Sequence, residues 1–203
     1  MKDKKAQVWV ETVVYTLIGL VLIGTVLTIA IPVIQKQKDK AVIEKTHIAV
    51  NELDNNILIV KRNGIGNIRE VNFFINKGTL TFNGVEDKII FEIKDSSYAF
   101  SEVGDEIPIA GTNLKANTKK FGKKFSIILK LDYTDKINIT YFGKEQNSTL
   151  SPGATPYILL IENKGRLPDE NSNCPTTSCY PKSTCKDGRC VPDLVNINIV
   201  DLS

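Results

Sequence analysis

All four cysteines fall in one short stretch, Cys174-x4-Cys179-x5-Cys185-x4-Cys190, within residues 173–191. Pro175, Pro181, Gly188 and Pro192 are interspersed, and a polar stretch from Pro168 to Asn173 precedes them. Four thiols this dense, with no apolar core between them, suit two disulfides that staple a loop. A zinc site of four thiolates is the competing chemistry, but its ligand pairs are typically closer and its two halves further apart. No C-x-x-C pair is present to suggest redox catalysis. Disulfides are therefore expected, and three pairings remain open. His47 is the only histidine, so chemistry that needs two imidazoles is excluded within one chain. No phosphate-binding loop, catalytic triad or paired catalytic carboxylates can be read from the sequence, so neither an enzyme nor a cofactor is expected, and no metal ligand set is assigned. Asn138-Ile139-Thr140 and Asn147-Ser148-Thr149 are N-glycosylation sequons; Asn138 falls on the polar side of its expected strand and Asn147 in a loop, positions at which both could carry a sugar.

The second constellation lies at the N-terminus. Lys4-Lys5-Ala6-Gln7 is followed by Glu11, and no charge then occurs from Thr12 to Gln35. That run is roughly 36 Å long as a helix, enough to cross a hydrocarbon core of about 30 Å. It is apolar on every face, which a small soluble domain cannot easily enclose. It is also too long for the apolar part of an ordinary secretory signal, and no small-x-small cleavage site ends it. Glu11 sits at the edge of the run, where a carboxylate is costly unless paired or held at the interface. Gly19, Gly24, Thr12, Thr16, Thr25 and Thr28 allow close helix packing without forming a GxxxG motif. Pro32 is expected to kink or loosen the helix.

The combination of basic pair, small residue, Gln, acid and long apolar helix resembles the class III signal peptide of archaeal type IV pilins. The resemblance implies that a prepilin peptidase cuts between Ala6 and Gln7 on the cytoplasmic side. Gln7 then becomes the mature N-terminus and Glu11 its fifth residue, placed to pair with the Gln7 amine of a neighbouring subunit. It further implies other pilin subunits as partners, and a chain held in the cell membrane with its C-terminal domain outside before it joins an extracellular filament. Lysines flank both ends of the apolar run, so the positive-inside rule does not by itself orient the chain.

The remaining elements must hold these groups. Beyond Pro32, Ile34, Ala41 and Ile48 recur at sevens, and Ile43, Val50, Leu53, Ile57 and Val60 form a neighbouring stripe. This predicts an amphipathic helix over 36–63, capped near Asn63-Gly64, whose apolar stripe needs a partner. The domain that follows is the expected partner, with a coiled coil as the alternative. From Asn67 the period becomes two, through Val71, Phe73 and Ile75, with turns at Asn76-Lys77-Gly78 and Asn83-Gly84. Alternating runs recur at Ile89–Ile93, Phe125–Leu131, Ile137–Tyr141, Tyr157–Ile161 and Ile197–Ile199.

The expected fold class is α+β: a long membrane and amphipathic helix, then an antiparallel β-sandwich of seven to nine strands with a disulfide-stapled loop. The expected segments are a signal peptide over 1–6, a filament-core helix over 7–35, its continuation over 36–63, and an extracellular domain over 64–203. The net charge of +3 gives no reason to expect nucleic acid as a partner. The expected function is a structural or accessory filament subunit with a role in adhesion to a surface or carbohydrate. The alternative is a membrane-anchored extracellular binding protein with the same signal.

Overall fold

The computed structural model describes the backbone of residues 3–166, 183–186, 189–192 and 194–202, with side chains for 9–165 and 194–202. A single helix, α1, runs from Asp3 to Asn63. Its 61 residues correspond to about 90 Å. It continues unbroken through Pro32. Gly64, at φ +89°, follows the last helical residue and takes up the left-handed conformation that ends a helix without a Cβ penalty. Lys61 and Arg62 lie in the last turn, where cations complement the helix dipole.

The strands are β1 (Ile68–Phe73), β2 (Thr79–Asn83), β3 (Lys88–Ser96), β4 (Glu106–Pro108), β5 (Leu114–Phe121), β6 (Lys124–Asp132), β7 (Ile137–Tyr141), β8 (Asn147–Leu150), β9 (Tyr157–Arg166), β10 (Ser183–Lys186), β11 (Arg189–Pro192) and β12 (Val195–Asp201). One sheet has the order β1-β9-β12-β7, a second has the order β4-β5-β6-β3-β2-β8, and β10 pairs only with β11. All pairings within these sheets are antiparallel except β7 with β12, which run parallel. The α+β class and the long apolar helix followed by antiparallel-rich sheets are thus as expected.

The helix and both sheets share one hydrophobic core. Ile43, Val50, Leu53, Ile57 and Val60 of α1 are fully buried in it. Burial of each such side chain contributes about 1.5–3 kcal/mol relative to exposure, which is what docks the helix on the domain. The helix packs against β1 and β9 and also reaches β12 and β3. In the larger sheet the buried residues alternate as period two requires: Leu80 and Phe82, Ile89, Phe91 and Ile93, Leu114 and Ala116, Ile127, Leu129 and Leu131.

The strands β7 and β12 depart from that alternation. Every residue of β7 is buried. The polar positions Asn138, Thr140 and Asn198 are enclosed as fully as Ile137, Ile139 and Ile197. The Thr140 hydroxyl lies 3.0 Å from Asn196 Oδ1, and Asn198 Oδ1 accepts the Gly143 N–H at 2.7 Å, so Thr140 and Asn198 are hydrogen-bonded where they are enclosed.

Candidate functional site

The N-terminal part of α1 presents an uncovered apolar surface. No part of its most apolar 18-residue window is buried by the rest of the chain. The hydroxyls on this surface are turned inward by bonding. Thr16 donates to the Thr12 carbonyl at 2.8 Å, Thr25 to Leu22 at 2.8 Å, and Thr28 to Thr25 at 2.7 Å. Such back-bonding satisfies the hydroxyl within the helix and leaves an outer surface fit for lipid or another helix. A Cβ added at Gly19 or Gly24 would meet nothing within 4 Å, so both sites are open to close approach from outside. The Ala6–Gln7 bond lies in the first turns of α1. Glu11 accepts a hydrogen bond from the Tyr15 hydroxyl at 3.3 Å, one turn further on. Tyr15 therefore meets part of the cost of a carboxylate at the edge of the apolar run, a contact that sequence reading did not single out.

Just beyond the uncharged run the helix is bolted to the domain through Asp39. Its Oδ1 accepts from Lys77 Nζ at 3.0 Å and from Gln35 Nε2 at 3.1 Å, and its Oδ2 accepts from the Ser97 N–H at 2.7 Å. Burial alone would raise its pKa; the Ser97 N–H, Lys77 and Gln35 outweigh that and hold it below the ordinary carboxylate value. A second buried acid, Asp54, accepts from the Tyr133 hydroxyl at 2.7 Å and from Asn113 Nδ2 at 2.8 Å. Burial, and then the adjacent Asp54 carboxylate, push the Tyr133 phenol well above its ordinary value. At the far end, Asn163 of β9 donates to the Val60 carbonyl at 3.1 Å, and Lys61 donates to the Lys136 carbonyl at 2.9 Å. The sequence signal for Asp39 and Asp54 was present: both are acids on the face that carries Ile43, Val50 and Ile57.

The two apolar stripes of the amphipathic segment have different fates. The stripe through Ile43 and Val50 enters the domain core. Ile34 and Ile48 remain 52% and 64% exposed, and Ala41 is exposed as well. Five residues separate Ile43 from Ile48, about 140° around a helix, so the uncovered stripe lies on the side turned away from the domain. The expectation that the whole apolar pattern meets the domain is corrected here. Leu20 and Leu27, at the same spacing of seven, are also exposed, so one uncovered line passes out of the apolar run along the back of the helix. Lys38, Lys45, Glu44 and Glu52 flank its emergent part.

Cys174 and Cys179 lie outside the described residues. Cys185 and Cys190 stand directly opposite each other in the β10–β11 pairing. Residues 167–194 fall between β9 and β12, and these are hydrogen-bonded neighbours, with Arg166 opposite Val195. That junction is at the end of the domain reached by the C-terminal end of α1, because Asn163 bonds the Val60 carbonyl and Ile65 packs beside Gly165.

Of the two sequons, Asn147 is exposed at the start of β8, an outer strand of the larger sheet. Asn138 is fully buried in β7. The expectation that Asn138 faces outward, and so accepts a sugar on the folded chain, is corrected: β7 is enclosed on both faces, and a glycan there has no room.

Among the described residues no group of three or more His, Cys, Asp or Glu is placed to hold a metal ion. His47 packs beside Phe100, with ring centroids 6.1 Å apart. A surface cavity of about 310 Å³ is lined in part by Lys61, Asn113, Lys115, Thr134 and Lys136. Two of its cations have partners: Lys61 bonds the Lys136 carbonyl, and Lys115 lies 3.4 Å from Glu106 and 4.0 Å from Asp132. No family model, curated protein or solved structure matches this chain.

Proposed function

We propose that the chain is a structural or accessory subunit of an archaeal type IV pilus-like surface filament. The observation that carries this reading is the surface of α1: apolar on all sides over the membrane-length run, hydroxyls bonded inward, and an uncovered line continuing through Ile34, Ala41 and Ile48. A lipid bilayer accounts for the first part of that surface but not for the second, which lies on the emergent helix. Copies of the same helix, stacked side by side, account for both. In this reading a prepilin peptidase cuts between Ala6 and Gln7, and the cleaved chain waits in the membrane. Assembly then transfers the helix from lipid into a filament core. Head-to-tail repetition that does not close produces a filament rather than a ring. Glu11 pairs with the Gln7 amine of the next subunit, exchanging its Tyr15 contact for a charged one. The two sheets are read as the layers of an outward-facing sandwich, with the cysteine segment as a disulfide-stapled protrusion available for adhesion to a surface or carbohydrate.

The test is the N-terminal peptide of the protein from sheared surface material and from membranes. A chain beginning at Gln7 and enriched in the sheared fraction is expected. An intact Met1 or Lys2 terminus in both fractions sinks the proposal. The second reading, an anchored extracellular binding protein, draws on the cavity beside Asn113 and Thr134. It requires Gln7-started chains that stay in the membrane fraction.

A further inference from the structure

The register of the short hairpin decides a question that cysteine spacing leaves open. In β10–β11, Ser183 pairs with Pro192, Thr184 with Val191, Cys185 with Cys190, and Lys186 with Arg189. Two residues, Asp187 and Gly188, connect the paired strands, and Asp-Gly is among the dipeptides that two-residue hairpin connections favour. In such a hairpin the pair flanking the connection exchanges both backbone hydrogen bonds, and the next pair outward exchanges none. Cys185 and Cys190 occupy that next pair. Residues opposed at such a position have Cα atoms about 4.5 Å apart and the closest side chains of the ladder. A disulfide needs a Cα separation of about 4.4–6.8 Å.

From this juxtaposition of Cys185 and Cys190 across the hairpin we infer that these two form one disulfide, leaving Cys174 to pair with Cys179. The bonds are then consecutive, each closing its own small loop, and neither ties residues 173–191 to the sheets. The inference rests on the exported location read above, since that is where an oxidant is available. Each pair of thiols loses two protons and two electrons as its S–S bond forms. The electrons pass, through a mixed disulfide, to the disulfide of an exchange partner, which leaves as a dithiol.

Trypsin separates this pairing from the other two because Lys182 lies between Cys179 and Cys185. The full-length protein is extracted in detergent with an alkylating agent present, then digested without reduction and read by mass spectrometry. The expected products are Leu167–Lys182 as a single peptide, closed on itself and unalkylated, and Ser183–Lys186 joined to Cys190–Ser203. Either other pairing joins all three peptides, and that result overturns the inference. Alkylation of all four cysteines, with or without co-purifying zinc, overturns it too. In Cys185→Ser, the one alkylated thiol is expected at Cys190; alkylation at Cys174 or Cys179 contradicts the assignment. The same digest reports whether the first peptide begins at Gln7. Failure of the pairing and failure of the filament reading are therefore scored separately.

Discussion

Asp39 is the residue at which the uncovered apolar part of α1 gives way to the domain. It lies four residues past Gln35, about 6 Å along the helix, and its carboxylate gathers Lys77, the Ser97 N–H and Gln35. Removing it leaves the half-buried Ser97 N–H without its acceptor and Lys77 with only the Asp95 carbonyl, so Asp39→Ala is expected to destabilise the domain by about 1–3 kcal/mol in urea unfolding of the detergent-solubilised chain. The pH dependence has a definite sign. The folded pKa lies below the ordinary value of 3.8, so the interaction stabilises the fold above that pH and is lost as the pH falls through the folded value. Asp39→Asn should lower stability at neutral pH and flatten this part of the acid-unfolding curve, because the contribution that the carboxylate loses in acid is then absent throughout. Acid-unfolding curves that superimpose for wild type and Asp39→Asn would remove Asp39 from the account.

At the scale of the element, α1 carries two apolar faces with two destinations. Ile48→Glu changes an exposed residue and is expected to move unfolding stability by no more than about 0.5 kcal/mol. On the filament reading proposed above, it should nevertheless reduce filaments recovered by shearing, because it places a charge in the uncovered line. Val50→Glu, two residues away, puts an unpaired acid in the core and should unfold the domain. If Ile48→Glu assembles as well as the wild type, the line through Ile34, Ala41 and Ile48 is not a subunit contact. The heptad spacing of these residues was legible in the sequence, and so was the stripe through Ile43 and Val50. What the pattern lacked was any sign of which stripe the chain itself covers, because both are equally apolar. The strands show the same limit. Strongly alternating runs such as Phe125–Leu131 were readable, whereas β5 buries Leu114, Ala116 and Thr118, a sequence too weakly apolar to stand out. Asn138 misled for the opposite reason: its alternation was clear, but a strand enclosed on both faces makes polar positions interior.

For the whole molecule, the polar contacts at Asp39, Asp54 and Val60 are spread along the helix and fix the domain to it. The domain thus begins within one turn of the uncharged run and extends away from it, with the β9–β12 junction at its far end. Replacing residues 167–193 by a short turn is expected to leave the thermal unfolding transition of the remaining domain essentially in place. Arg166 and Val195 are already opposite each other, and closing a shorter loop costs less chain entropy. A collapse of that transition would mean that residues 167–193 help hold the sheets. An excursion between adjoining strands also has an evolutionary meaning. Its length and sequence can drift from one lineage to the next while the strands on either side keep their register. On the filament reading proposed above, the outward face can then change without reworking the part of the protein that folds.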